Sequence, residues 1–158
     1  MCIRDRKVSR ISLGGIPIQQ LDQDDANKLI EKALEYGINF IDTARGYTVS
    51  ESLIGGALSG KRQQVFLATK SMARDKEGFK RDIEISLNNL KTDYIDLYQF
   101  HNIINLQELE KVMAKGGALE AMLEYKDKGI IKSIGITGHS PEVIEKAIEY
   151  DVFETIQY

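Results

Sequence analysis

Three strand-like runs in this chain end on groups that can carry a proton. I-N-F-I-D-T-A-R-G-Y, from Ile38 to Tyr47, is an apolar, β-favouring run that stops at the carboxylate of Asp42 and, after small residues, reaches the phenol of Tyr47. V-F-L-A-T-K closes on Lys70, and I-D-L-Y-Q-F-H closes on His101. An ammonium close to a phenol favours its ionised form, so Lys70 near Tyr47 is expected to lower a pKa that is ordinarily about 10. Asp42 can hold Lys70 charged and in place. A neutral, donating His101 can orient a carbonyl oxygen toward Tyr47 and stabilise charge developing there. The chemistry of such a group is addition of a hydride to a carbonyl carbon and of a proton to its oxygen. No side chain supplies a hydride, so a cofactor must. Taken singly, each residue has an ordinary explanation: the aspartate as turn former or cap, the lysine as a solvated charge, the tyrosine and histidine as packed structural groups. Their position at successive strand ends is what points to an acid–base site.

The elements that must position these residues alternate strictly. R-I-S-L-G-G-I-P-I supplies a first strand, Arg10 to Gly14, ended by Gly14, Gly15 and Pro17. From Asp24 to Tyr36, Ala26, Leu29, Ile30, Ala33 and Leu34 share one helical face, with Gly37 as the C-terminal cap. The strand ending at Asp42 precedes a short helix from Ser50 to Ser59, whose entry reads as a capping box of Thr48 and Glu51 and whose Gly55 and Gly56 permit close packing. After the Lys70 strand, Phe79, Ile83, Leu87 and Leu90 mark a helix. After the His101 strand come an acidic, helix-prone insertion, Leu106 to Met113, and a helix carrying Leu119, Met122 and Leu123, closed by Gly129. I-K-S-I-G-I-T-G is a fifth strand, Ser140-Pro141 starts a helix with Val143, Ile144, Ala147 and Ile148, and F-E-T-I-Q-Y begins a sixth strand.

Strands alternating with helices imply parallel βαβ units with right-handed crossovers. An open dinucleotide-binding sheet would carry G-x-G-x-x-G in its first turn, and L-G-G-I-P-I does not supply it. Functional residues at successive strand ends instead fit a barrel, whose loops surround one point at the C-terminal mouth. The expected fold is therefore an α/β, partial TIM (β/α)8 barrel: five βα units and a sixth strand, where eight units in about 250 residues close the barrel. The chain is expected to be truncated.

Bulk properties narrow the function further. The 158 residues are 42% hydrophobic and 28% charged, enough for one globular unit with a core. A net charge of -3 with interspersed signs provides no basic stripe for nucleic acid, and no apolar run reaches membrane-spanning length, so a soluble, cytoplasmic protein is expected. M-C-I-R-D-R at the start is neither a secretory signal nor a transit peptide. It back-translates to a transposase adapter used in sequencing libraries, which makes residues 1–6 a cloning or assembly scar and 7–158 the native part; a disordered native terminus is the alternative. In the first case Cys2, the sole cysteine, is not native, and disulfides and thiolate metal sites are excluded; no metal site is expected.

From Val8 to Tyr158 the sequence resembles the aldo-keto reductases. The most specific matches are D-T-A-R-G-Y-T-V-S-E from Asp42 to Glu51, L-A-T-K ending at Lys70, and T-D-Y-I-D-L-Y-Q-F-H ending at His101. The resemblance implies a catalytic tetrad in an NADPH-dependent carbonyl reductase: Tyr47 as general acid, Lys70 lowering its pKa, Asp42 paired with Lys70, and His101 orienting the carbonyl of a small-molecule substrate. It implies NADPH in preference to NADH. Gly15 and Ile16 fall where the family's first loop passes the nicotinamide ribose. Thr137 matches a serine that, with an asparagine, binds the carboxamide, and Gln157 matches a carboxamide-binding glutamine. Gly138 stands where that asparagine is expected, so His139 or Ser140 is expected to take over its contact. Around Met113 to Leu119 the sequence is more similar to a subgroup with a C-terminal iron-sulfur extension. The family's grip on the cofactor phosphates lies in loops after strands seven and eight, so the chain by itself is expected to be inactive. Regulatory subunits of the same type, which bind nucleotide and a partner protein, and a gene fragment without function are the alternative readings.

Overall fold

The computed structural model describes residues 2–3 and 6–158. Cys2–Ile3 (β1) and Arg6–Lys7 (β2) pair antiparallel, and the rest of the proposed scar lies outside the described residues. The main sheet has six parallel strands in sequence order: Ser12–Gly14 (β3), Phe40–Asp42 (β4), Phe66–Ser71 (β5), Ile95–Phe100 (β6), Ile131–Thr137 (β7) and Thr155–Gln157 (β8). All six coincide with the expected runs, although β3 is shorter than Arg10 to Gly14. β5 and β6 are buried at every position, as befits strands covered on both faces. The arrangement is a partial TIM barrel.

Local signals fix the helices. Asp22 caps Gln23–Glu35 (α1) by accepting from Asp25 N at 2.8 Å, and Ala26, Ile30 and Ala33 turn inward. The helix ends in a Schellman turn, Ile38 N to Ala33 O and Gly37 N to Leu34 O, both 2.9 Å, which requires the φ of +76° that Gly37 adopts freely. Asp75 caps Lys76–Leu90 (α3), whose Phe79, Ile83 and Leu90 are buried. Asn105 caps Leu106–Met113 (α4), which precedes Ala118–Asp127 (α5). Ser140 caps Pro141–Glu149 (α6), with proline at the first helical position.

The entry of Ser50–Ala57 (α2) differs from the expected capping box. The N-cap residue is Val49, and no side chain caps the helix. Thr48 donates to Gln19 Oε1 at 3.0 Å, and Glu51 is fully buried. A carboxylate needed by the interior is unavailable to a helix end. Gly55 does serve packing: a Cβ there would lie 2.2 Å from Asn89 O.

At the end of the sheet away from Asp42 and Lys70, Arg62 and Asp96 form a buried pair at 2.8 Å, and Asp96 also accepts from Leu67 N at 3.0 Å. No described helix is long and apolar enough to cross a membrane.

Candidate active site

Asp42, Lys70 and His101 are placed by the sheet itself. Asp42 ends β4, Lys70 is the fifth residue of β5, and His101 follows β6, where its N–H donates to Ser71 O at 2.8 Å. Parallel pairing aligns these ends, Asp42 opposite Ala68 and Lys70 opposite Gln99. Tyr47 stands on the loop between β4 and α2, which is stitched to the sheet by Arg45 N to Lys70 O at 2.9 Å. Tyr47 N donates to Ala44 O, and Ser50 N donates to Tyr47 O.

The four expected acid–base residues come together. Lys70 Nζ donates to Asp42 Oδ2 at 2.7 Å and to Thr43 O at 2.9 Å, and the residue is 2% exposed. It lies 5.3 Å from the centre of the Tyr47 ring. The Tyr47 and His101 rings meet edge to face at 5.7 Å and 86°.

The electrostatics depart from expectation at one point. Burial, then the Asp42 charge, push the Tyr47 phenol above its ordinary pKa, whereas Lys70 was expected to lower it. Both influences oppose ionisation of the phenol, and the Lys70 ammonium is itself paired with Asp42. Burial also lowers the Lys70 pKa, and Asp42 opposes that shift. His101 is held at about 4 by burial and by the cations Lys70 and Arg74, so it is neutral at pH 7.

Ile16, Tyr47, Lys70, His101, Asn102, Thr137, Gly138, His139, Gln157 and Tyr158 line a cavity of about 420 Å³. Of the six residues expected to bind cofactor, Gly15, Ile16, Asp42, Thr137, His139 and Gln157, four line it: Ile16, Thr137, His139 and Gln157, while Asp42 stands behind Lys70. Gly15 is not among the lining residues. Its N–H donates to Asp42 O at 2.7 Å, and a Cβ would lie 2.7 Å from Thr43 Oγ1, so it brings the first loop against the second. Gly138 is explained similarly, because a Cβ would sit 2.7 Å from Ile103 O, leaving no room for an asparagine on this backbone. Of the two expected substitutes, His139 lines the cavity, and Ser140 is occupied as the α6 cap. A nicotinamide fits this donor set: hydroxyl, amides and imidazole line the cavity with the Tyr47 phenol, and His101 Nδ1 is buried without a partner. Among the described residues, no cluster of three or more His, Cys, Asp or Glu could hold a metal.

Residue patterns did not disclose the support beneath the site. Glu51 accepts from Thr69 Oγ1 and Ser86 Oγ at 2.7 Å, from Arg45 Nη1 at 2.9 Å and from Asn89 Nδ2 at 3.2 Å. It joins the Tyr47 loop to the residue before Lys70 and to α3. Gln99 makes long contacts, 3.5 Å each, to Asp42 Oδ1 and Gln157 Oε1. The one signal for Glu51 was its place in a run that also holds Asp42 and Tyr47.

Comparison with known proteins agrees with this geometry. Residues 10–157 match the Aldo/keto reductase family. The chain is 34% identical over 160 residues to aldo-keto reductase YhdN of Bacillus subtilis, covering 92% of this chain and 46% of that protein. The holo form of aldo-keto reductase AKR11C1 from Bacillus halodurans superposes with a TM-score of 0.81 at 32% identity, over 98% of this chain and 55% of that one. An aldo-keto reductase from Klebsiella pneumoniae in complex with NADPH gives 0.76 at 27% identity, over 90% and 50%. The chain spans about half the length of the curated relatives it matches. By the family match and by its fold, it belongs to the aldo/keto reductase family.

Proposed function

We propose that the full-length protein reduces an aldehyde or ketone to an alcohol with NADPH, in preference to NADH, in the cytoplasm. The observation that carries this reading is the buried Lys70–Asp42 pair beneath the Tyr47 phenol, with neutral His101 edge-on to the same ring. Thr137, His139 and Gln157 would hold the nicotinamide, which would supply the hydride. The raised Tyr47 pKa keeps its proton on the phenol at neutral pH until a carbonyl oxygen gains charge and takes it. Lys70 stabilises the phenolate left behind, and Asp42 keeps that ammonium in place. His101, uncharged, donates to the carbonyl oxygen and fixes its direction.

For residues 1–158 alone we expect weak NADPH binding, no turnover and a tendency to associate. β3 and β8 each pair on one side only, which leaves strand hydrogen bonds and apolar surface open.

The test is loss of NADPH absorbance with a reactive aldehyde, run on the full-length protein, on its Tyr47→Phe variant and on residues 1–158. Phenylalanine keeps the ring and removes the proton, so turnover should fall by about 10²–10⁴-fold. A full-length protein without turnover, or a variant as active as wild type, refutes the mechanism. Turnover by residues 1–158 refutes the expectation for the short chain.

A further inference from the structure

The backbone of His101 and Asn102 is held at four points. His101 N donates to Ser71 O and Asn102 N to Thr137 Oγ1, both at 2.8 Å, while Arg74 Nη2 donates to His101 O at 2.9 Å and to Asn102 O at 3.0 Å. Asn102 has a φ of +54°, a left-handed conformation that asparagine adopts more readily than other non-glycine residues and that these four bonds hold in place. Arg74 arrives from the loop after β5 and is also bonded to α4, through Nε and the same Nη2 to Glu108 Oε2 at 3.1 and 2.9 Å, while its buried Nη1 has no hydrogen-bond partner. Its side chain is 12% exposed, so the forked guanidinium acts where water competes little.

We propose that Arg74 is a positioning residue for His101: anchored by Glu108, its guanidinium sets the left-handed turn at Asn102 and so the angle at which the His101 ring meets Tyr47. The proposal rests on the reading of His101 as the group that meets the substrate carbonyl. It gives the acidic insertion at α4 a role, that of holding a histidine it does not touch. Lysine cannot replace the arginine, because its one nitrogen cannot take the Nη2 place beside the two carbonyls and also supply the second bond that Nε makes to Glu108.

The charged and titratable groups around His101 are Lys70, Arg74, the Tyr47 phenol, His139 and Tyr158 across the same cavity, Asp42 behind Lys70 and Glu108 behind Arg74. Arg74 is one of the two cations that depress the His101 pKa, so its removal has a signature beyond stability. The His101 ring protons are assigned in the full-length protein as the signals lost in a His101→Gln variant, and are titrated by NMR.

The experiment uses the full-length protein, with Arg74→Met to remove fork and charge and Arg74→Lys to keep the charge alone. Arg74→Met should raise the His101 titration midpoint and lower kcat by up to about 10²-fold, the loss that a 1 Å misplacement brings, with KM for NADPH unchanged. Arg74→Lys should return the midpoint toward wild type while kcat stays low. Variants that melt earlier but keep the His101 midpoint, its ring-proton shift and kcat would show a merely structural arginine and overturn the proposal. Wild-type protein without carbonyl turnover would instead end the reductase reading, and the titration would still decide whether Arg74 sets His101.

Discussion

Lys70 donates to Asp42 across 2.7 Å with its own side chain 3% exposed and that of Asp42 16% exposed, so a nearly dry ammonium has one carboxylate, largely buried but still reached by water, as its charge partner. Removing either partner strands the other. Lys70→Met should cost roughly 3–5 kcal/mol, toward the lower end because water can reach Asp42. Adding Asp42→Asn should recover part of that stability without recovering activity. Urea unfolding of the two variants reads the first effect and NADPH oxidation the second.

The His101 pKa of about 4, against 6.5 for a free histidine, gives a signed pH dependence. Between those values the unfolded chain binds a proton that the folded chain refuses, so stability is full above about 6.5, falls as pH drops toward 4, and levels off below. The pH–rate profile of carbonyl reduction should show no inflection near 6.5, should lose rate near 4, and should lose it again at the basic end, where Lys70, held below its ordinary pKa, gives up its charge and Tyr47, held above its own, ionises. An inflection at 6–7 that disappears in His101→Gln would contradict the burial argument.

Replacing Glu51 tests the support beneath the site. Alanine leaves Arg45, Thr69, Ser86 and Asn89 facing a vacancy and should cost about 3–5 kcal/mol, as breaking a buried ion pair does. Glutamine keeps the shape but sets an amide against Arg45 Nη1, and should cost about 1–3 kcal/mol. Denaturant midpoints at pH 7 give the order: wild type above glutamine above alanine.

Gly138→Ala places a methyl 2.7 Å from Ile103 O, which must move. The expected cost is about 1–3 kcal/mol. Because Ile103 N is bonded to Thr137 O at 2.9 Å, the displacement should reach the neighbouring His101 and change its ring-proton signal. An unchanged signal with wild-type stability would show that the loop gives way freely.

Strand order and the meeting of Asp42, Tyr47, Lys70 and His101 were legible in the sequence because both follow from local rules. Apolar runs with β-branched residues set the strands, and a parallel sheet brings their ends to one side. Gly37 and Ser140-Pro141 could be read because each satisfies a backbone requirement from within its own turn. Glu51 was misread for the opposite reason. Its partners Thr69, Ser86 and Asn89 lie 18, 35 and 38 residues away, so local spacing made it resemble a cap. Arg74 was silent likewise, its partners His101 and Glu108 being 27 and 34 residues distant. The direction of the Tyr47 shift was missed because it depends on desolvation, which a sequence does not state.

Asp96 touches none of the reacting groups, yet it accepts both from Arg62, which precedes β5, and from Leu67 within β5, while itself belonging to β6. It works as an indexing pin between two strands. Pleating keeps every side chain on its own face only for slips of two residues, about 6–7 Å along the strand. Such a slip between β5 and β6 would break both bonds to Asp96 and carry Lys70 out of line with His101 at the end of β6. The spacing of the chemistry is thus gauged at the opposite end of the strands, and the mouth loops are free to diverge in length and composition without losing their alignment.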